Sequence, residues 1–239
     1  MFKERIDPFE EKNWILSKEG HLQRYKKALD FISSESIILD AGCGYGYGAF
    51  ILSKKAKKVI AVDISTEALD YAKNRYKRKN IEYLLGDLET IDLSKFTFDF
   101  IICLEVIEHI KNPLLVLRKF RKWIKKKGFL LISTPNGKNQ YATNPYHVRT
   151  YGEEEIIKIL KKSGFKVNEV YGQYPLLGTI AFLLSKLSKK VKSKNQEIIK
   201  FSKNFINRIP LLPEAFSKLY KSKVARRTSG CLYFIAKPS

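Results

Sequence analysis

The sequence predicts an α/β fold: a doubly wound, mostly parallel sheet with an antiparallel last strand and a helical insertion between the last two strands. Three observations predict it. Five apolar runs, at 37–41, 58–63, 81–85, 98–104 and 128–134, are near-continuous rather than alternating, as in strands covered on both faces. Helical periodicity at 47–56, 66–78 and 113–126 alternates with most of them, the βαβα order of a parallel sheet. Glycines stand at 42, 44 and 46, where the first strand turns into its helix, so the backbone there can approach a ligand closely.

In chain order, residues 19–33 come first, with Leu22, Tyr25, Ala28, Leu29 and Ile32 at helical spacing. The first strand, 37–41, carries Asp40 and runs into the glycine turn. The second ends on Asp63, and Ser65 or Thr66 caps the next helix with Glu67 in its first turn. Asp87 follows the third strand. The fourth strand ends in CLEVIEHI, and the fifth is followed by a polar loop, TPNGKNQYATNPYHVRTY. A helix at 152–163, closed by Gly164, then leads to a strand at 165–172, and the last strand is 231–236. These two strands lack a crossover helix of the earlier kind, so an antiparallel strand at the sheet edge is expected. Residues 174–229 are too long for a structureless loop and should hold helices at about 178–191, 195–208 and 213–222. This gives a core over 1–173, a basic helical insertion over 174–229 and a final core strand over 230–239.

A chain of 239 residues is long enough for one ordinary α/β domain with an appendage. Cys43, Cys103 and Cys231 lie in apolar or turn contexts without metal-ligand spacing, and their odd number argues against a disulfide framework. The N-terminus is charged, and no run reaches the roughly 18 apolar residues of a spanning helix. The expectation is a cytoplasmic protein, at most peripheral to a membrane. The net charge is +21, and residues 173–239 hold 14 Lys/Arg against two acids. Such a surface attracts phosphate on lipid headgroups, nucleic acid or a phosphorylated substrate. Lysine enrichment from a genome bias or a hot habitat is the bland alternative.

The glycine turn admits two readings. From Gly44 it fits G-x-G-x-x-A, ending at Ala49, with Asp63 as the acid that binds a ribose diol about 20 positions on, the dinucleotide pattern. From Asp40 it reads D-x-G-x-G-x-G, the pattern of S-adenosylmethionine (SAM) sites, whose ammonium and sulfonium groups favour acid near the turn. Asp40 tips the balance toward SAM, although it can also simply cap the turn. Asp87 leaves the same edge of the sheet and can accept from an adenine amino group.

In CLEVIEHI, Glu105, Glu108 and His109 stand at i, i+3 and i+4, one face of a helical turn, where two carboxylates and an imidazole can hold a divalent ion or place a base beside a reacting hydroxyl. Glu105 can instead favour a helix N-terminus, and His109 can be a satisfied buried ring. His147, in the loop over the same crevice, is a further base, metal ligand or loop-stabilising donor. Arg24 on the first helix, close to His21, can pair with a methionine carboxylate or lie on a solvated face.

Taken together, LDAGCGYGYGAF, VIAVDIS, LLGD, FDFIICLEVIEHI and LLISTPN resemble the class I SAM-dependent methyltransferases over roughly residues 18–173. The resemblance is greatest to surface-glycan and polysaccharide enzymes, through H-x-x-R-Y-x-x-A (His21, Arg24, Tyr25, Ala28) and N-P-Y-H-V (Asn144 to Val148). It implies a seven-stranded sheet with an antiparallel last strand. It also implies SAM across Arg24, Tyr25, Asp40, Gly42, Gly44, Asp63, Ile64, Asp87, Leu88 and Leu104, with His109, His147 and Glu105 at the chemistry.

The E-x-x-E-H element also resembles ubiquinone-biosynthesis and small-RNA O-methyltransferases. That likeness implies a divalent ion such as magnesium on Glu105, Glu108, His109 and His147. The expected acceptor is a small-molecule, glycan or lipid-linked hydroxyl, with RNA less favoured because no RNA-binding module is recognisable. The mixed apolar and basic insertion suits an anionic membrane surface, or equally a cap on the sheet. A nicotinamide-dependent oxidoreductase and a catalytically silent SAM-binding partner protein are the readings of another class.

Overall fold

The computed structural model describes residues 7, 15–137, 145–173, 219–221, 226 and 229–239. Helices α1 (Ile15–Leu29), α2 (Tyr47–Ser53), α3 (Thr66–Arg75), α4 (Pro113–Trp123) and α5 (Glu153–Lys162) surround one sheet. Its strands are β1 (Ile37–Ala41), β2 (Lys58–Asp63), β3 (Ile81–Leu85), β4 (Phe98–Leu104), β5 (Ile124–Pro135), β6 (Phe165–Gln173), β7 (Leu219–Tyr220) and β8 (Cys231–Pro238).

The strand order is β3-β2-β1-β4-β5-β8-β6-β7. The pairs β1–β2, β2–β3, β1–β4 and β4–β5 are parallel, while β8 runs antiparallel to both β5 and β6. The apolar runs thus become the predicted parallel sheet. Its two faces carry separate cores: Leu39, Ile101, Val116 and Phe234 on one side, Ile38, Leu52, Ile102 and Tyr233 on the other. Each fully buried large apolar side chain stabilises by about 1.5–3 kcal/mol.

Local chemistry sets the ends of the helices. Ser65 Oγ accepts from the Ala68 amide at the start of α3, and Asn112 Oδ1 accepts from the Leu115 amide at α4, where Pro113 takes the first turn. Gly164, at φ +84°, supplies the left-handed residue after α5.

Three expectations need correction. The antiparallel last strand is not at the edge: β8 fills the slot between β5 and β6, pairing Leu131 with Ile235 on one side and Tyr171 with Tyr233 on the other. It is buried on both sides, which its unbroken run CLYFIA requires. Among the described residues the edge is instead the two-residue β7, antiparallel to Gly172–Gln173, so they form an eight-stranded sheet and residues 219–220 do not belong to the helix expected over 213–222. Finally, β5 begins at Ile124, because the chain is already extended there (φ −86°, ψ 140°) and Lys125–Lys127 prolong the strand rather than α4. The helices expected at 178–191 and 195–208 lie outside the described residues.

Candidate active site

The strand order reverses between β1 and β4, where crossovers leave to opposite sides and open a crevice at the carboxyl ends of the strands. A cavity of about 700 Å³ occupies it. Its floor is the glycine turn. The amides of Gly42 and Cys43 both donate to the Val62 carbonyl, at 2.8 and 2.9 Å, and the Gly46 amide donates to the Cys43 carbonyl at 3.0 Å. Gly42, Gly44 and Gly46 all have positive φ, at 78°, 52° and 82°. A Cβ on Gly42 would lie 2.3 Å from Val106, whereas one on Gly44 would have nothing within 4 Å and would project into open space.

Asp63 locks this turn to β2. Its Oδ2 accepts from the Gly44 amide at 2.8 Å and its Oδ1 from the Ser65 amide at 2.9 Å. Ile64 beside it lines the cavity and is 63% exposed, an apolar face available to a flat ring. Asp87 is held by the Glu89 amide, which donates to Oδ1 at 2.8 Å. Tyr25, Gly42, Gly44, Asp63, Ile64, Asp87, Leu88 and Leu104 all line the cavity.

Asp40 and Arg24 are placed behind that lining. Asp40 is buried and accepts from the Tyr25 hydroxyl at 3.1 Å, while its Oδ2 has no hydrogen-bond partner. Burial pushes its carboxyl up to about 7; the Tyr25 bond opposes this and the charge of Asp63 adds to it. Arg24, also buried, forms an ion pair with Glu105 Oε1 at 2.8 Å and donates to Gln173 Oε1 and Ser133 Oγ. The carboxylate that Arg24 meets is therefore the protein's own. Beside it, burial and then Arg24 lower the His21 ring to about 3, and its Nδ1 lies 3.0 Å from the Tyr47 hydroxyl.

Past β4, the predicted single helical face does not form. Glu105 sits at φ +56°, a left-handed residue that breaks the chain direction, and only Ile107–His109 coil, as a 3₁₀ turn. Glu105 consequently pairs with Arg24, Ser133 and Cys231 and is not a member of the group in which Glu108 and His109 converge, and it is Tyr146, not Glu105, that His109 Nδ1 meets. Burial alone would raise its pKa, but Arg24 and the neighbouring donors outweigh burial and hold it below the ordinary carboxylate range. Glu108 goes the other way: burial, then the charge of Glu105, push it well above that range.

Glu108, His109 and His147 do converge, with one ligand atom from each within 4.8 Å of the others. The loop holding His147 is fastened to the 3₁₀ turn. The amides of Val148 and Arg149 donate to the Glu108 carbonyl at 2.9 and 3.2 Å, and His109 Nδ1 donates to the Tyr146 carbonyl at 2.9 Å. A carbonyl can only accept, so Nδ1 carries a hydrogen, and in the neutral ring the lone pair is on Nε2. The rings of His109 and His147 pack edge to face, centroids 4.9 Å apart. One carboxylate and two imidazoles are a donor set that suits a divalent cation. Tyr47, Lys111 and Tyr146 also line the cavity and were not singled out in the sequence. The signal for Tyr146 lay in N-P-Y-H-V itself, one residue before the histidine.

Residues 39–132 match the family model described as a methyltransferase domain. A Mycobacterium tuberculosis protein named a probable S-adenosylmethionine-dependent methyltransferase is 32% identical over 134 residues, which are 54% of this chain and 48% of that protein. A ubiquinone biosynthesis O-methyltransferase of Coxiella burnetii is 34% identical over 127 residues, 52% of this chain and 53% of that protein. The chain thus spans about half the length of the curated relatives it matches. Among solved structures, a SAM-dependent methyltransferase from Aquifex aeolicus is 26% identical with a TM-score of 0.55, covering 70% of this chain and 93% of that one. The fold is shared with an S-adenosylmethionine-dependent methyltransferase from Clostridium acetobutylicum at 14% identity, with a TM-score of 0.61 and coverage of 98% and 93%. With its glycine turn, reversed strand order and acid-edged crevice, the chain has a Rossmann-like α/β fold in which residues 39–132 match a methyltransferase domain, and it is similar to SAM-dependent methyltransferases.

Proposed function

We propose that the protein transfers the SAM methyl group to a hydroxyl of a sugar, a lipid-linked precursor or another small molecule. The observation that carries this reading is that the His109 and His147 rings line the same cavity as Asp63 and Asp87. When bound, SAM supplies an electrophilic methyl on a sulfonium. Asp63 would hold the ribose diol, and the backbone at Gly44 leaves room for the ligand. His109, with its Nδ1 hydrogen committed to Tyr146, would take the proton of the attacking hydroxyl on Nε2. In such a transfer most of the rate comes from alignment of the two reactants, with proton removal second. The basic C-terminal part of the chain supports an acceptor that carries phosphate or sits at an anionic lipid surface.

A second reading is favoured by the convergence of Glu108, His109 and His147: a divalent ion there would lower the pKa of the acceptor hydroxyl, as in a quinone or RNA O-methyltransferase. Purified protein incubated with methyl-labelled SAM and separate lipid, glycan and RNA fractions tests both. Label in one fraction names the acceptor class, and loss of transfer on chelation, restored by added ion, selects the metal route. A thermal shift with NAD but not with S-adenosylhomocysteine would overturn both, and SAM binding without label in any fraction would leave a silent binding partner.

A further inference from the structure

Glu105 offers the cavity half of its carboxylate. Oε1 takes three donors, the Arg24 guanidinium at 2.8 Å, the Ser133 hydroxyl at 2.7 Å and the Cys231 thiol at 3.2 Å. Oε2 takes none among the described residues, although the residue lines the cavity and its side chain is 23% exposed. The backbone is held in the left-handed region, φ +56°, to aim it so. A strained non-glycine residue is retained where the surroundings over-determine it, commonly at a binding site. Here those surroundings are the Ser133 carbonyl and hydroxyl, which both accept from the Glu105 amide, at 3.1 and 3.2 Å.

The place of Glu105 in the sheet says what it faces. Across the crevice the strands run β3, β2, β1, β4, so the residues past their ends come in the order Asp87, Asp63, Gly42 to Gly44, Glu105. A nucleoside with its base at Asp87 and its ribose at Asp63 has its 5′ substituent over the glycine turn and the far end of that substituent at Glu105. On the proposed reading that the cavity takes SAM, this far end is an amino acid, which carries one ammonium and one carboxylate. An ionised carboxylate with one unengaged oxygen attracts the first and repels the second.

We infer that Glu105 is the counter-charge for the α-ammonium group of the bound S-adenosyl ligand. Arg24 fixes the carboxylate from behind and does not itself take the ligand's carboxylate. This assigns Glu105 to ligand recognition, apart from the cluster of Glu108, His109 and His147.

Calorimetric titration with a set of adenosine thioethers tests the assignment, since thioethers lack the sulfonium charge. S-adenosylhomocysteine should bind at least tenfold more tightly than its analogue without the amino group. Its analogue without the carboxylate should bind at least as well as the parent. In Glu105→Gln the preference for the amino group should vanish, while 5′-methylthioadenosine, which has no amino-acid end, binds as in the wild type. Because Glu105→Gln leaves Arg24 buried without its partner, the same titrations on Arg24→Met/Glu105→Gln, which removes both charges, settle the matter if the single variant does not fold. A wild type that binds the deaminated analogue as well as the parent, or a folded variant that keeps the preference, overturns the inference. Failure of the wild type to bind any of the four ligands would overturn the SAM reading itself, and the role of Glu105 with it.

Discussion

The amide of Gly44 donates to Oδ2 of Asp63 at 2.8 Å, so the acid that ends β2 fixes the glycine turn that ends β1. One carboxylate therefore both shapes the floor of the cavity and borders the space a ribose would fill. Removing it should cost on both counts. Asp63→Ala leaves the Gly44 and Ser65 amides without acceptors, a loss of about 1–3 kcal/mol, and should weaken S-adenosylhomocysteine binding by at least tenfold. Chemical denaturation and calorimetry measure the two separately. Unchanged affinity in a folded variant would remove Asp63 from the binding site.

The glycines at 42 and 44 should fail differently. Both have positive φ, so alanine at either strains the backbone by about 1 kcal/mol. At Gly42 the added methyl also meets Val106 at 2.3 Å, and Gly42→Ala should lose stability beyond that strain. At Gly44 the methyl meets no protein atom within 4 Å. Gly44→Ala should therefore keep most of its stability and lose ligand affinity, because the methyl stands where the ligand must approach. Thermal melting with and without ligand separates the two, and equal behaviour of both variants would show that the open space above Gly44 is not where the ligand lies.

His109 is expected to act on turnover rather than on cofactor binding. His109→Ala should lower kcat by about 10²–10⁴-fold if it is the base and leave S-adenosylhomocysteine affinity within about threefold. His109→Asn, which can still donate to the Tyr146 carbonyl but cannot take a proton, should be as slow as alanine. Rescue by asparagine would instead make His109 a fastener of the 145–149 loop.

The sheet was legible because burial on both faces forces unbroken apolar runs, and the runs at 37–41, 58–63, 81–85 and 98–104 became strands with those bounds. The position of β8 was not, since its run CLYFIA says that it is covered on both sides but not between which neighbours. Among the site residues, those fixed by local backbone need, the glycines with Asp63, could be read from spacing alone. Glu105 could not: the i, i+3, i+4 spacing holds only on a helix, and a left-handed residue at 105 cancels it. Its actual partners, Arg24, Ser133 and Cys231, are between 28 and 126 positions away from it for the latter two, beyond any local pattern.

Asp40 should give the stability of the fold a distinctive dependence on pH. Its carboxyl rises from 3.8 to about 7 on folding, chiefly through burial. A carboxyl raised in the folded state holds its proton more tightly there than in the unfolded chain. Its contribution is thus fully present below about pH 4, declines as pH rises toward 7 and is gone above it. A shift of that size is worth about 4 kcal/mol. Asparagine cannot ionise, still accepts from the Tyr25 hydroxyl, and places an amide where Oδ2 now has no partner. Other groups titrate in the same range, so the informative quantity is the difference between Asp40→Asn and the wild type. That difference should be small at pH 4.5 and should favour the variant by a few kcal/mol at pH 8 in urea denaturation. The same difference at both pH values would mean that Asp40 is ionised in the folded protein throughout, with its charge met by a partner.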